Sequence, residues 1–395
     1  MKYTPLSFEV NLKEGFYFAM DSLFSALCTL HDQRDARGLR YALVTVLVLI
    51  ILAKLSGQDG LRGIAQWVRL RKEKLAEALA LSKPQAPHAT TYSRVLNHGV
   101  EIDEFEQVAN GFFAGLPDAG QSTVINLDGK TLRGTIPAGQ TRGQHLLAAY
   151  LPEEGWVLAE VEVDGKENEI PASLRLVKYV DLRDKIITGD ALLTQRELSI
   201  QIVEAGGEYV WRVKDNQPQL EHDIAALFGQ EVCTPGFSPC EKDFQTASTC
   251  EKGHGRLEQR ILTASSMLQD YVKWPYAAQV FQIERRFVRI SDGHVLHEIG
   301  YGITSLTAQE ANPERLLQVV RQHWGIENGL HYRRDDTLRE DRCRLRGQGA
   351  HAMAVINNLI LGLLRRSGVV NVPDARRYYE ANLQDAVNLA LLSPP

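Results

Sequence analysis

The spacing of apolar residues changes character along this chain. From residue 41 to 55 they run almost without a break, bracketed by Arg40 and Lys54, and from 60 to 81 they recur at helical intervals. A Pro-rich break, Lys83-Pro84-Gln85-Ala86-Pro87, follows, and residues 90–96 predict a further short helix. Residues 1–118 therefore read as a helical domain. From Gln121 onward the runs shorten to strand length, over 123–127, 144–150 and 156–163, with Pro152-Glu153-Glu154-Gly155 as the turn between the last two. A helix over 169–179, a strand over 185–188, a helix over 193–205 ended by Gly206-Gly207, and a strand over 209–214 come next.

Three antiparallel strands followed by helix, strand, helix and strand is the order of a ribonuclease-H-like α/β domain, in which the first and fourth strands lie side by side and parallel. The predicted organisation is a helical N-terminal domain (1–118), the first part of the catalytic domain (119–216), a β-rich insertion (217–306), the second part of the catalytic domain (307–370) and a C-terminal tail (371–395). Asp128 and Asp190 each end an apolar strand, so they are expected at one edge of the sheet, where strand gives way to loop. Glu327 falls on a helix running from about Asn312, with Pro313 as its start signal, through Arg334. At about 100° per residue it emerges from an apolar stripe containing Leu316, Val320, Trp324 and Leu330, with His323, His331 and Arg334 within about 40°. A carboxylate there needs a compensating cation or a raised pKa.

With 395 residues and 44% hydrophobic content the chain can support two or three cores. Glu9, Lys13 and Glu14 interrupt any secretory pattern near the start, and the apolar run 41–55 falls short of the roughly 20 residues that span a bilayer. It reads as a buried helix, with no membrane partner. Five scattered cysteines (Cys28, Cys233, Cys240, Cys250, Cys343) suit a reducing cytoplasm, and the spacing of Cys240, Cys250 and His254 matches no ordinary zinc site. A net charge of −5 gives no global sign of nucleic-acid binding, so any such surface must be local. Arg69, Arg71, Lys72 and Lys74 form one basic cluster that serves equally as a solvated helix face.

Five segments, in order, carry a family resemblance: Leu127-Asp128-Gly129-Lys130-Thr131-Leu132-Arg133-Gly134, Thr188-Gly189-Asp190-Ala191, Val213-Lys214-Asp215-Asn216-Gln217, Glu251-Lys252-Gly253-His254-Gly255-Arg256-Leu257-Glu258, and His323-Trp324-Gly325-Ile326-Glu327-Asn328-Gly329-Leu330-His331. Together they resemble the transposases of the ISAs group of bacterial insertion sequences, which includes the H-repeat-associated proteins and belongs to the DDE superfamily. The resemblance extends from about Arg34 to Arg366. A related group carries Y-x2-R-x3-E-x6-K around its catalytic Glu. The corresponding residues here are Val320, His323, Glu327 and Arg334, so the basic position is kept and the Tyr is lost.

The resemblance implies a DNA transposase that cuts insertion-sequence ends and joins the 3′-hydroxyl to target DNA, with Asp128, Asp190 and Glu327 as catalytic metal ligands. Three hard oxygen donors suit two Mg²⁺ ions, with Mn²⁺ as a substitute. The expected partners are double-stranded DNA, as terminal inverted repeats and as target, and at least one further copy of the chain on that DNA. A cytoplasmic, nucleoid-associated location follows. Lys130 and Arg133 stand close enough to Asp128 to hold a phosphate, or are solvated turn charges. Lys214, Asn216 and Gln217 follow the fifth strand and would face the same edge. His254, Arg256, His323, His331 and Arg334 complete the candidate DNA contacts, although Glu258 could instead pair His254, Arg256 and Arg260 on the surface. Trp274 and Trp324 are expected in the core rather than stacked on bases. The rivals are a nuclease on the same scaffold that cuts without joining, and a non-catalytic DNA-binding descendant of a transposase.

Overall fold

The computed structural model describes residues 3–5, 17–37, 39–115, 122–229, 242–253 and 255–391. In chain order these form β1 (Tyr3–Pro5), β2 (Tyr17–Ala19), α1 (Leu23–Leu27), α2 (Leu43–Leu55), α3 (Leu61–Ala78), α4 (Ala89–His98), α5 (Ile102–Ala114), β3 (Val124–Thr131), β4 (His145–Leu151), β5 (Trp156–Val163), α6 (Glu169–Leu176), β6 (Ile186–Gly189), α7 (Arg196–Glu204), β7 (Glu208–Val213), α8 (Pro218–Phe228), β8 (Gln245–Gly253), β9 (Arg256–Ser265), β10 (Gln279–Arg289), β11 (Val295–Thr304), α9 (Pro313–Ile326), α10 (Gln348–Arg366), α11 (Val372–Ala381) and α12 (Leu383–Leu391). They fall into two compact units, Met1–Ser122 with Gly129–Gly165 and Glu327–Pro395, and Thr123–Asp128 with Lys166–Ile326.

In the first unit α10 is the central element, buried from Gly349 through Leu364. Glycines let its neighbours approach: a Cβ on Gly362 would run into the Phe113 ring of α5, and one on Gly349 would meet Asn97 of α4 at 2.6 Å. The apolar run read as a buried helix is α2, on which Leu43 and every residue from Val46 to Leu55 are buried. No helix among the described residues is long and apolar enough to cross a membrane. Even Lys54 lies inside, 3.7 Å from Asp59, and burial holds its ammonium pKa below the ordinary lysine range. Arg376 of α11 bonds the same Asp59 at 2.5 Å. Residues 372–391, which read as a tail, are thus two packed helices, with Val387 and Ala386 fully buried. Each is only nine or ten residues long, so few turns carried the period in sequence. Of the basic cluster on α3, Arg71 is committed to Glu380 at 2.6 Å.

The second unit is a mixed sheet in the order β3-β6-β7-β11-β10-β9-β8. β3 and β6 run parallel, as do β6 and β7, whereas β11 returns antiparallel to β7. The β-rich segment after β7 therefore continues this sheet edge to edge. The predicted end of the first strand at Leu127 is too early. β3 extends to Thr131, which puts Asp128 inside a strand, and Lys130 is a strand residue rather than a turn charge. α9 packs its Leu316, Leu317 and Val320 into one core cluster with Val124 of β3, Ile186 of β6, Val210 of β7 and Phe281 of β10.

Candidate active site

In the second unit, the register of β3 on β6 pairs Leu127 with Gly189. An aspartate follows each partner of this last pair, so Asp128, inside β3, and Asp190, just past β6, stand at the same level beyond the parallel ladder. A Cβ at Gly189 would meet Leu193 at 2.9 Å and Trp211 at 3.0 Å, which explains the glycine before Asp190. Asp190 then caps a short 3-10 turn, Ala191–Leu193, its Oδ1 accepting from the N–H of Leu192 at 3.0 Å and of Leu193 at 3.4 Å. These bonds fix the carboxylate. Partial burial, then the charges of Glu169 and Asp128, raise its pKa above the ordinary aspartate value, against the two backbone bonds. Glu169, the first residue of α6, is an acidic neighbour that sequence reading did not single out.

The end of α9 is pinned to the same strands. Asn126, fully buried, donates from Nδ2 to the carbonyl of Gln322 at 2.6 Å and accepts from Thr188 Oγ1 at 2.8 Å. Thr188 in turn meets His323 Nδ1 at 3.1 Å. Asn126 lies two residues before Asp128, and Thr188 two before Asp190, so each shares a strand face with its aspartate. A polar residue two places before each Asp in an otherwise apolar strand was the legible signal for this brace, and it was passed over. Burial lowers the His323 pKa, against the pull of Asp128, and Arg212 lowers it further, which favours a neutral ring.

Asn216 Nδ2 donates to the carbonyl of Ala191 at 2.5 Å, and Gln217 Nε2 to that of Thr194 at 3.0 Å. Both therefore hold the loop behind Asp190 through backbone contacts, while Lys214 beside them is exposed.

In the first unit, α9's chain continues from Glu327 as two π-wound stretches, Glu327–His331 and Arg333–Thr337. The single α-helix predicted through Arg334 stops at Ile326. A π turn closes i→i+5 bonds, so the angle per residue falls to roughly 80° and Arg334 swings to about 160° from Glu327 instead of sharing its face. Glu327 is accordingly exposed and Arg334 fully buried. Arg334 Nη1 lies 2.5 Å from Glu160 and its Nε 2.8 Å from Glu340, so its charge is not offered to DNA. His331 is also buried. Lys130 is buried against Asp335, with Asp341 at 3.8 Å, and is no solvated charge either. Arg133 differs: its side chain is 77% exposed, although its backbone N–H bonds Asp341 at 3.2 Å.

Residues 119–363 match the family profile described as the transposase DDE domain, and residues 24–113 match the profile of its associated domain. The chain belongs to the DDE transposase family. It is 27% identical over 356 residues to "Putative transposase YncI" of Escherichia coli O157:H7, covering 88% of each chain. It is 25% identical over 373 residues to "H repeat-associated putative transposase YhhI" of Escherichia coli K12, covering 92% of this chain and 95% of that one. An uncharacterized protein in the dhlA 3′ region of Xanthobacter autotrophicus is 32% identical over 273 residues, covering 68% and 88%. A solved piggyBac transposase synaptic complex with hairpin DNA aligns over 98% of this chain and 83% of its own at 10% identity, with a TM-score of 0.43 too low to bear on the fold.

Elsewhere in this transposase, Arg256 stacks over Phe287 at 5.0 Å and lies 3.6 Å from Glu258. Glu258 is itself buried, taking Arg260 at 2.5 Å and Arg285 at 3.4 Å, while Arg256 stays exposed at the rim of that network. His254 lies outside the described residues. Trp274 is buried as expected, but Trp324 is 52% exposed, with the Arg285 guanidinium 4.8 Å over its ring. Trp324 falls on the outer flank of α9, and a stripe drawn at ±60° was too wide for a helix that packs on a flat sheet.

A divalent ion fits the donor chemistry at the sheet edge, where hard carboxylate oxygens of Asp128 and Asp190 come off adjacent strands and the strongest charge effects on Asp190 are themselves acidic. Among the described residues Glu106, Glu160 and His351 also bring ligand atoms within 4.8 Å of one another. That second group is already paired internally: His351 meets Glu106 at 3.2 Å, and Arg334 occupies Glu160.

Proposed function

We propose that this transposase cuts the ends of an insertion sequence and joins the freed 3′-hydroxyl to target DNA, on a ribonuclease-H-like core, with Asp128, Asp190 and Glu327 as the metal-holding carboxylates. The observation that carries this reading is the matched position of Asp128 and Asp190, each one residue past the last pair of the parallel ladder between β3 and β6, with an Asp190 carboxyl whose pKa is raised by burial and by its acidic neighbours. A carboxylate in that condition gains most from a cation. Two Mg²⁺ ions, when bound, would supply a nucleophile at neutral pH and neutralise the leaving oxygen in an in-line displacement at phosphorus.

The chain's own residues supply the rest. Asp190 is held by two backbone N–H groups, so its second oxygen stays directed to the site. The Asn126–Thr188–His323 brace keeps the end of α9 from drifting off β3 and β6. Exposed Arg133, Lys214 and Arg256 are candidate cations to meet DNA phosphates. The active species is expected to be at least a dimer on DNA.

Incubation of the full chain with end DNA, a target plasmid and Mg²⁺ tests the proposal. Joined product should form, and Asp128→Asn, Asp190→Asn and Glu327→Gln should each abolish it while circular dichroism and end binding stay at parental levels. Cut ends without joined product would favour the nuclease. Near-parental cleavage by any one variant would strike that residue from the set.

A further inference from the structure

One buried guanidinium beside the proposed third carboxylate has no part in that chemistry. Arg334 has no exposed surface. Its Nη1 donates to Glu160 Oε1 at 2.5 Å and to Asn358 Oδ1 at 3.3 Å, and its Nε donates to Glu340 Oε2 at 2.8 Å. The acids are held in turn, with Asn358 Nδ2 donating to Glu160 Oε2 at 3.2 Å and Asn357 Nδ2 to Glu340 Oε1 at 2.7 Å. Residue 334 is thereby tied to β5, to the 340–342 turn and to α10. Replacing a buried ion triad by apolar side chains is often neutral or stabilising, so stability alone is a poor reason to keep one. Fixing a geometry is a better reason.

The geometry at stake is the π-wound segment. π turns are rare, need support from their surroundings and tend to occur at functional sites. Contacts from several elements hold this one, among them Arg376, which donates to the carbonyl of Thr337. Gly329 packs against the Tyr150 ring, where a Cβ would lie 3.1 Å from Cζ. Asp335 bonds Lys130. Arg334 is gripped from two sides, and since it faces inward, Glu327, about 160° around the turn, faces outward.

We propose that Arg334 is the positioning residue for Glu327: its fork onto Glu160 and Glu340 locks the π-wound segment in the register that presents the Glu327 carboxylate, and it makes no contact with DNA. This rests on the assignment of Glu327 as a metal carboxylate. A lysine keeps the charge but cannot bridge both acids with planar, directed donors, so the site needs the guanidinium rather than a cation as such.

The test uses the full-length chain on end DNA. Arg334→Lys is compared with a combined Glu160→Gln, Arg334→Met, Glu340→Gln variant, which removes the network without leaving an unpaired buried acid. Mn²⁺ binding is read by electron paramagnetic resonance, end-DNA affinity as a function of salt, and folding by circular dichroism. Both variants should bind end DNA with the parental affinity and salt slope, while half-saturating Mn²⁺ rises about tenfold in the combined variant and less in Arg334→Lys. Should the combined variant fail to fold, Arg334→Lys decides the matter alone. Parental Mn²⁺ binding in the folded variants would overturn the proposal, as would a salt slope lower by about one with Mn²⁺ binding unchanged, the mark of a lost phosphate contact. Glu327→Gln is the separate control: if it leaves Mn²⁺ binding untouched, the assignment of Glu327 fails, whatever Arg334 does.

Discussion

Gly329 offers the sharpest quantitative test of the π-wound segment, because the nearest atom it meets is a removable hydroxyl. A Cβ built there falls inside van der Waals contact of the Tyr150 hydroxyl and 3.1 Å from Cζ, tighter than ordinary carbon contacts of 3.4–4 Å. Tyr150 is itself 3% exposed on β4, so the ring has little room to retreat. Overpacking of this kind costs about 1–3 kcal/mol, and Gly329→Ala is expected within that range despite the better helix propensity of alanine. Tyr150→Phe removes the closest atom, so in that background the same substitution should cost under about 1 kcal/mol, a coupling of roughly 1–2 kcal/mol between the two positions. Urea unfolding of the four proteins in the cycle measures this. Gly329→Ala should also slow cleavage, since it displaces the segment that begins at Glu327, and Tyr150→Phe should restore it in part. An alanine that costs nothing, or costs the same in both backgrounds, would refute the close approach as the reason for the glycine.

Other expectations follow from single contacts. Burial lowers the His351 pKa, but its hydrogen bond to Glu106 and the charges of Glu106, Glu160 and Glu162 overcome this and raise it above 6.5, while burial raises that of Glu106 above 4.5. Both folded values are raised, so their contribution to stability is greatest at low pH and is lost as pH rises, from above 4.5 for Glu106 and above 6.5 for His351; thermal stability should fall across that rise, and Glu106→Gln with His351→Gln should flatten the profile. Lys130→Met should cost about 1.5–3 kcal/mol by stranding Asp335, with no change in the salt dependence of DNA binding. Arg133→Ala should do the reverse, leaving stability intact and lowering the salt slope by about 0.9. Sedimentation of the end-bound complex in Ca²⁺ should show at least two protein copies, and a fully active one-copy, one-end complex would sink that expectation.

What could be read from sequence here followed regular periods. The pairing of β3 with β6 followed from the order of strands and helices, and the placing of Asp128 and Asp190 at one edge from apolar runs of strand length followed by an acid. Arg334 and Lys130 were misread for a common reason. A guanidinium or ammonium is scored as a surface group by composition, and only the three-dimensional return of Glu160, Glu340 and Asp335 makes burial affordable. The projection around Glu327 failed because it assumed α geometry at every step, whereas Glu327–His331 adds a residue per turn that no hydrophobic period announces. Gly329 was visible in the motif, but its reason is a tyrosine on β4.

The chain passes between its two compact units after Ser122, Asp128, Gly165 and Ile326. The second of these crossings cuts through β3 at the first proposed catalytic residue. On the ribosome, β3 therefore emerges long before β11 and α9, which complete its sheet and its core, and α5 waits for α10. The second unit has all its residues only at Ile326 and the first only once 327–395 have followed, so the nascent protein must carry unpaired strand edges and bare apolar faces through most of its translation. That predicts dependence on holdase chaperones during expression, low yields for truncated versions, and an enzyme that becomes competent only after its last helices have been made.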